Sequence, residues 1–455
     1  MSIRRRLIGS FGATILGPAL TVLIQIIIVP VMLRFWGSQL YGEWLLLSTL
    51  PTYLLLTDMG FGNVAGSEMT MRFHSGDTEG TIEIFQSTQI LVLLTSVAVL
   101  LLLLPIIFFV PYDRLLHLSA LSLNEARMTL LLLSVNCLVM LQLGTIMSGY
   151  RCTGRYALGT MYVNCVRVIE GLSILAVLFF KAGTIRVAAA MLMVSVIGII
   201  WLIIQHRRLM PWLHFGVSHA RWAQIRALAR PAAAFMAIPA SNAITTQGMT
   251  TLVGLMMNPV AVAVFNSMRT LSRVVLQISN AVSNSAWPEL SAAFGQKNWL
   301  LARKLHRSAC QAALVLAGCA FLVLAVIGPR FFTMWTHHRL VMDVPAFYLL
   351  LASTMTYTFW SVSSSALLAA NRHQRMALLY LFCTSASVAI GALLIRRFEL
   401  RGAAVAMLLC DLAMSTYVLQ ASMKLLSDEW SEFAASMFDL TQFHAIRAKF
   451  MRFRA

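Results

Sequence analysis

The sequence predicts an all-α polytopic membrane protein with twelve transmembrane helices in two six-helix lobes related as parallel repeats. Three observations carry this. Of 455 residues, 59% are hydrophobic and only 11% charged, where a soluble domain averages roughly 25% charged. The apolar residues gather into runs of about 20 or more, the length that crosses ~30 Å of hydrocarbon. The two halves also echo each other. Gly37-Ser38-Gln39-Leu40-Tyr41-Gly42 corresponds to Asn258-Pro259-Val260-Ala261-Val262-Ala263, 221 positions later. Thr153-Gly154-Arg155-Tyr156 corresponds to Ala370-Asn371-Arg372-His373, and Val187 to Leu192 matches Ala403 to Leu408.

Taken in order, the expected spans are 11–36, 40–63, 84–110, 127–149, 156–180, 183–205, 229–257, 260–288, 308–330, 344–370, 376–396 and 401–424. They divide the chain into a lobe at 1–205, a linker at 206–228, a lobe at 229–425 and a tail at 426–455. The first apolar run is too long for a signal-peptide core and reads as an uncleaved span. An even number of spans per lobe keeps both lobes in one orientation. Transporters built on such repeats hold substrate near the midplane between the halves and alternate by rocking them.

The +18 formal charge would suggest a nucleic-acid partner in a soluble protein. Here the cations lie in short connections, so no nucleic acid is implied. With the N-terminus inside, 22 of the 35 Lys and Arg fall in inner segments, ten in outer connections and three within spans. By the positive-inside rule both termini are cytoplasmic. Three basic amphipathic pieces are expected at the inner surface among anionic lipids: the initial SIRRRLI, the connection SHARWAQIRALAR, and a tail with Trp430, Phe433, Met437, Leu440 and His444 near one face. The seven cysteines form no C-x-x-C pair and no cluster with His, so neither a metal site nor a disulfide framework is expected. The longest outer connection, 111–126, holds one Asp and one Glu. That leaves no catalytic constellation, and the chain does not read as an enzyme.

The span 260–288 carries Arg269 and Arg273 near its middle. Residues four apart share a helix face. A charge at bilayer depth costs between ~2.5 and ~17 kcal/mol, so such residues face a polar cavity or a partner and mark substrate paths. Two arginines in one cationic central cavity suggest passage of an anion.

Tyr41-Gly42-Glu43-Trp44, followed by Asp58-Met59-Gly60-Phe61-Gly62-Asn63, resembles the "YGxW … DxGxxN" signature of Wzx-type polysaccharide and O-antigen flippases. These belong to the superfamily that includes the multidrug and toxin extrusion (MATE) pumps. Pro111 to Leu116 and Arg401-Gly402-Ala403-Ala404 fit the same pattern, and the resemblance covers roughly 1–425. It implies a bacterial inner-membrane transporter that moves a polyprenyl-diphosphate-linked glycan outward for O-antigen or exopolysaccharide synthesis. No cofactor is implied beyond H+ or Na+ as coupling ion. A polysaccharide polymerase and chain-length machinery are the protein partners that such a role implies. The alternative on the same fold is a cation-coupled multidrug exporter, whose cavity should be acidic or aromatic.

Arg269 and Arg273 suit a diphosphate, because the guanidinium fork matches phosphate oxygens and stays charged when desolvated. The competing reading is that they pair with acids or helix carbonyls and hold the bundle. Arg167 is either a third cavity ligand or the partner of Glu170 three residues on. Asp58 either binds a coupling ion or pairs with an arginine of the opposite lobe, and Asp411 is the second coupling candidate. Glu170 and Glu43 complete the coupling and gating candidates, Glu43 being near the outer helix end where solvation is the plainer reading. Runs such as Ser279-Asn280 and Ser363-Ser364-Ser365 either line a hydrated cavity or bond between helices.

Overall fold

A computed structural model of the chain describes residues 3–58, 61–226, 236–370 and 372–438, and every regular element among them is helical. Helix α1 (Ile3–Thr52) holds two spans, broken at Gly37, whose φ of 73° only glycine adopts without strain. A 3-10 turn (Tyr53–Asp58) leads to α2 (Phe61–His74). The second span therefore runs beyond the expected residue 63 and is interrupted, where hydropathy alone gives one short helix. Next come α3 (Thr78–Phe109), the short α4 (Tyr112–Leu115), α5 (Leu123–Cys152), α6 (Tyr156–Phe179) and α7 (Thr184–Leu209).

Local chemistry sets several of these ends. Asp77 caps α3 through the Gly80 N–H at 2.8 Å. At α5, Ser122 and Glu125 form a reciprocal capping box, which satisfies two of the orphan donors of a first turn.

The seventh span comprises α8 (Ala237–Ala243), a π-helical turn (Ile244–Gly248) and α9 (Met249–Met256). The eighth comprises α10 (Pro259–Ser272) and α11 (Val274–Gly295), with the break at Arg273. Then follow α12 (Trp299–Trp335), α13 (Val344–Ala369), α14 (Gln374–Leu426) and α15 (Trp430–Phe438). Helix α14 holds the last two spans, broken at Glu399 with φ 50°. Seven of these helices are long and apolar enough to cross a membrane, α1 and α14 among them. With those two divided at their breaks and the interrupted helices joined, the described parts of all twelve expected spans are helical.

The chain packs as two compact units, residues 1–267 with 333–341 and residues 268–332 with 342–455. In the first, α5 is central and contacts α1, α2, α3, α6 and α7. Its core at one end gathers Phe61, Met69, Phe85, Tyr150 and Leu202 with Met210 and Leu213 from the segment after α7. That segment is clamped onto α3. Gln86 Nε2 donates to the His214 carbonyl, the His219 N–H donates to Gln86 Oε1 at 2.8 Å, and Arg221 pairs with Glu83 at 2.8 Å. The surface-lying linker expected from sequence is thus tied to the protein through residue 221; its basic end at 227–230 lies outside the described residues.

In the second unit α13 packs against α14 and α11. Its serine run bonds between helices: Ser422 Oγ donates to the Ser363 carbonyl at 3.0 Å, and Ser279 and Thr358 share a hydrogen bond of 2.6 Å. The tail's apolar face packs on protein. Helix α15 buries Phe433 and Met437 against Ala309, Cys310 and Val362, because Arg307 binds both Asp428 and Glu432 and pulls the helix onto α12. Leu440 and His444 lie outside the described residues.

Candidate functional site

In the second unit, Arg269 and Arg273 sit at the junction of α10 and α11. The Arg273 N–H still donates to the Arg269 carbonyl at 3.0 Å, so the two side chains leave the backbone one turn apart, as their spacing predicts. Their surroundings differ. Arg269 is buried, with 7% exposure, and Arg273, at the helix break, is exposed. Arg273 lies within electrostatic reach of the phenol groups of Tyr357 and Tyr380.

Asp411, in the second half of α14, belongs to the same neighbourhood. Its carboxylate accepts from Ser353 Oγ and from Trp360 Nε1 at 3.3 Å. Trp360 in turn packs edge-on to Tyr357, 4.8 Å between centroids, and to Tyr380 at 5.0 Å. Helices α11, α13 and α14 thus bring Arg273 and Asp411 close to one Tyr357–Trp360–Tyr380 cluster. Trp360 and Tyr380 are buried and Tyr357 is half-buried, so the cluster packs the helices together and holds the Asp411 carboxylate through Trp360. The sequence reading missed these three aromatics; their i, i+3 spacing on one helix (Tyr357, Trp360) was the available signal.

The remaining candidates lie in the first unit. Arg167 and Glu170 form no ion pair among the described residues. Instead both line a cavity of about 90 Å³ with Met140, Leu143 and Gly198. Arg167 also reaches toward α1, its Nη1 3.6 Å from where a Cβ on Gly17 would stand. The intrahelical pair that an i, i+3 spacing permits is therefore not made. Asp58 ends the 3-10 turn, and its side chain lies outside what the structure describes.

Glu43 is fully buried rather than solvated. Its Oε1 accepts from the Ser119 and Ala120 N–H groups at 2.7 and 2.8 Å and from Gln39 Nε2 at 2.9 Å, and its Oε2 accepts from the Leu121 N–H at 2.9 Å. It fixes the loop between α4 and α5. Its neighbours in the "YGxW" stretch are also structural. A Cβ on Gly42 would meet the Pro259 carbonyl oxygen at 1.8 Å, and Trp44 packs on Trp36 at 5.4 Å.

Comparison with known proteins places this fold. The chain matches the fold of a multidrug resistance MATE family transporter of the MOP superfamily in an inward-facing conformation, at TM-score 0.75 and 14% identity over 89% of this chain and 94% of that one. An outward-facing structure described in the same terms matches at TM-score 0.65 and 12% identity, over 93% and 95%. A MOP superfamily transporter from Pyrococcus furiosus, described as having a binding pocket of reverse polarity, matches at 0.61 and 13%, over 93% and 95%. No curated protein matches the chain significantly. The molecule is therefore a polytopic helical membrane protein of the MATE fold. The family model for polysaccharide biosynthesis proteins matches residues 8–294, and the chain belongs to that family.

Proposed function

We propose that the protein flips a lipid-linked, polyprenyl-diphosphate oligosaccharide from the inner to the outer leaflet for cell-surface polysaccharide synthesis, by alternating access along a cationic path. One observation carries the reading: a buried arginine and an exposed one stand a turn apart on a broken helix, the exposed one beside a Tyr357–Trp360–Tyr380 cluster. Guanidinium groups match the diphosphate. A lipophilic cation would meet repulsion from both arginines, which argues against the drug-export alternative. Membership of a polysaccharide biosynthesis family supports a glycan as the cargo. In this reading Arg269 and Arg273 engage the diphosphate, and Asp411, poised by Ser353 and Trp360, is the group that answers an H+ or Na+ gradient. Arg167 and Glu170 line a smaller, mostly apolar recess of the first unit. The setting is a bacterial inner membrane with both termini cytoplasmic, and a polymerase receives the flipped product.

The test is flipping of a fluorescent diphosphate-linked oligosaccharide lipid in proteoliposomes. Wild type is expected to flip it, and the combined Arg269→Ala and Arg273→Ala variant, matched for folding, is expected to lose at least 90% of the rate. Equal rates would remove the arginines from the path. Export of cationic dyes in place of the glycan lipid would overturn the function.

A further inference from the structure

The repeat exposes a second basic site. In the first unit, Arg155 in the α5–α6 turn donates through Nη1 to the Leu209 carbonyl at 3.0 Å, closing that turn onto the end of α7. Its repeat counterpart is Arg372, in the turn between α13 and α14. Leu209 ends α7 and Leu426 ends α14, but the Leu426 carbonyl accepts from Arg303 Nε at 2.7 Å. Arg372 is thereby released, and a cavity of about 780 Å³ stands where the first unit is closed.

Three cations line this cavity: Arg372, Arg375 and Lys424, together with Gln374, Gln420 and Tyr417. No acid is among its lining residues. Among the described residues, no hydrogen bond or ion pair engages either guanidinium or the Lys424 ammonium, and all three residues are exposed. The nearby carboxylates of Asp428 and Glu432 are taken by Arg307. The cavity also sits at the N-terminus of α14, whose first turn has no side-chain cap and whose dipole favours an anion. Further along α14, Leu378 and Phe382 are exposed at 65% and 70%. They lie three and seven residues past Arg375, so the same helix face passes from cationic to apolar within two turns.

The geometry points to a phosphate-binding site, with the cations on the phosphate and the glutamines and Tyr417 on adjoining hydroxyls. The apolar face below it suits the chains of an anionic glycerophospholipid, and free phosphate or diphosphate is the other source of the same chemistry. The site uses none of the residues assigned to the transport path, so its failure leaves the proposed function untouched.

The experiment is native mass spectrometry of the full-length protein in detergent with equimolar phosphatidylglycerol and phosphatidylcholine, repeated with sodium diphosphate alone. Wild type is expected to retain phosphatidylglycerol roughly tenfold over phosphatidylcholine, and the variant Arg372→Gln/Arg375→Gln/Lys424→Gln to lose that preference. Binding of diphosphate lost in the same variant, without lipid preference, would assign the site to free anions. Identical retention of lipid and of diphosphate by wild type and variant would overturn the proposal. Should the triple variant not purify as a single species, the exposed Arg375→Gln change alone is expected to reduce the preference about threefold, and an unchanged ratio would equally overturn it.

Discussion

The ring of His306 stacks on the ring of Phe433, with centroids 5.7 Å apart and planes 29° from parallel. His306 belongs to the start of α12, and Phe433 to the tail that follows the last span. The first unit repeats the arrangement: Phe85, 221 positions before His306, meets Phe215 of the segment after α7 at 5.1 Å. The next residues correspond as well, since Gln86 holds the His214–His219 segment and Arg307 holds the tail. Each repeat therefore uses the beginning of its third span to fasten the chain that leaves its sixth.

The Arg307 fastening should be the stronger. The Asp428 side chain has no solvent exposure, and that of Arg307 has 19%. Removing one partner of a buried pair costs about 3 kcal/mol, because the other charge is left without compensation. Arg307→Ala is expected to lower the thermal midpoint of the detergent-solubilised protein and to open the tail to chymotrypsin, which cleaves after the Phe433 that the docked helix buries. A tail that stays resistant at an unchanged midpoint would show that Phe433 and Met437 alone hold α15.

Glu43 is expected to matter for folding and not for transport itself. Glu43→Ala leaves three loop N–H groups without their acceptor, and a buried donor left unsatisfied costs about 1–3 kcal/mol. Glu43→Gln, which keeps shape but removes the charge from these bonds, should destabilise less. Both variants should flip substrate at the wild-type rate per folded molecule. A Gln variant of normal stability that no longer flips would restore Glu43 as a gating group.

Gly42→Ala and Gly62→Ala test the close approaches in the signature stretch. An added Cβ would stand 1.8 Å from the Pro259 carbonyl oxygen in one case and 2.8 Å from Gly144 backbone atoms in the other. Neither neighbour is the flexible end of a side chain, so backbone must shift. Overpacking of this kind costs about 1–3 kcal/mol and sometimes more. Gly42→Ala should be the more damaging of the two by thermal unfolding, and a reversed order would contradict the packing.

The span count, the repeat and the position of the two arginines were legible because hydropathy, offset and charge are local properties of the string. The break at Arg273 was not, because nothing in VAVFNSMRTLSRVVLQ marks a turn: no Gly or Pro stands there. Glu43 was misread as solvated because its partners are backbone N–H groups of residues 119–121, which no pattern of side chains announces. The docking of the tail was hidden for a similar reason. Its amphipathic face fits a bilayer surface or a protein groove equally well, and Arg307 decides between them from more than a hundred residues away. The Trp360 contact that orients Asp411 likewise joins residues 51 positions apart.

His306 provides the sharpest test of the repeat. Its Nε2 shares a hydrogen bond of 2.9 Å with Ser363 Oγ, and its Nδ1 has no partner among the described residues. The equivalent position in the first unit is Phe85, which buries an aromatic ring with no polar atom to satisfy. His306→Phe loses the Nε2 contacts with Ser363 Oγ and with Cys310 Sγ at 3.7 Å, worth about 1 kcal/mol each at most, and also removes an unsatisfied buried nitrogen costing about 1–3 kcal/mol. The two nearly cancel, so stability should be unchanged or slightly higher. His306→Ala, by contrast, removes the ring that stacks on Phe433 and leaves a cavity, a loss of about 3 kcal/mol by analogy with other aromatic truncations. Thermal unfolding of the two variants side by side separates the cases. If Phe destabilises as much as Ala, the Ser363 bond rather than the ring is what holds the tail, and the two repeats fasten their chains by different chemistry.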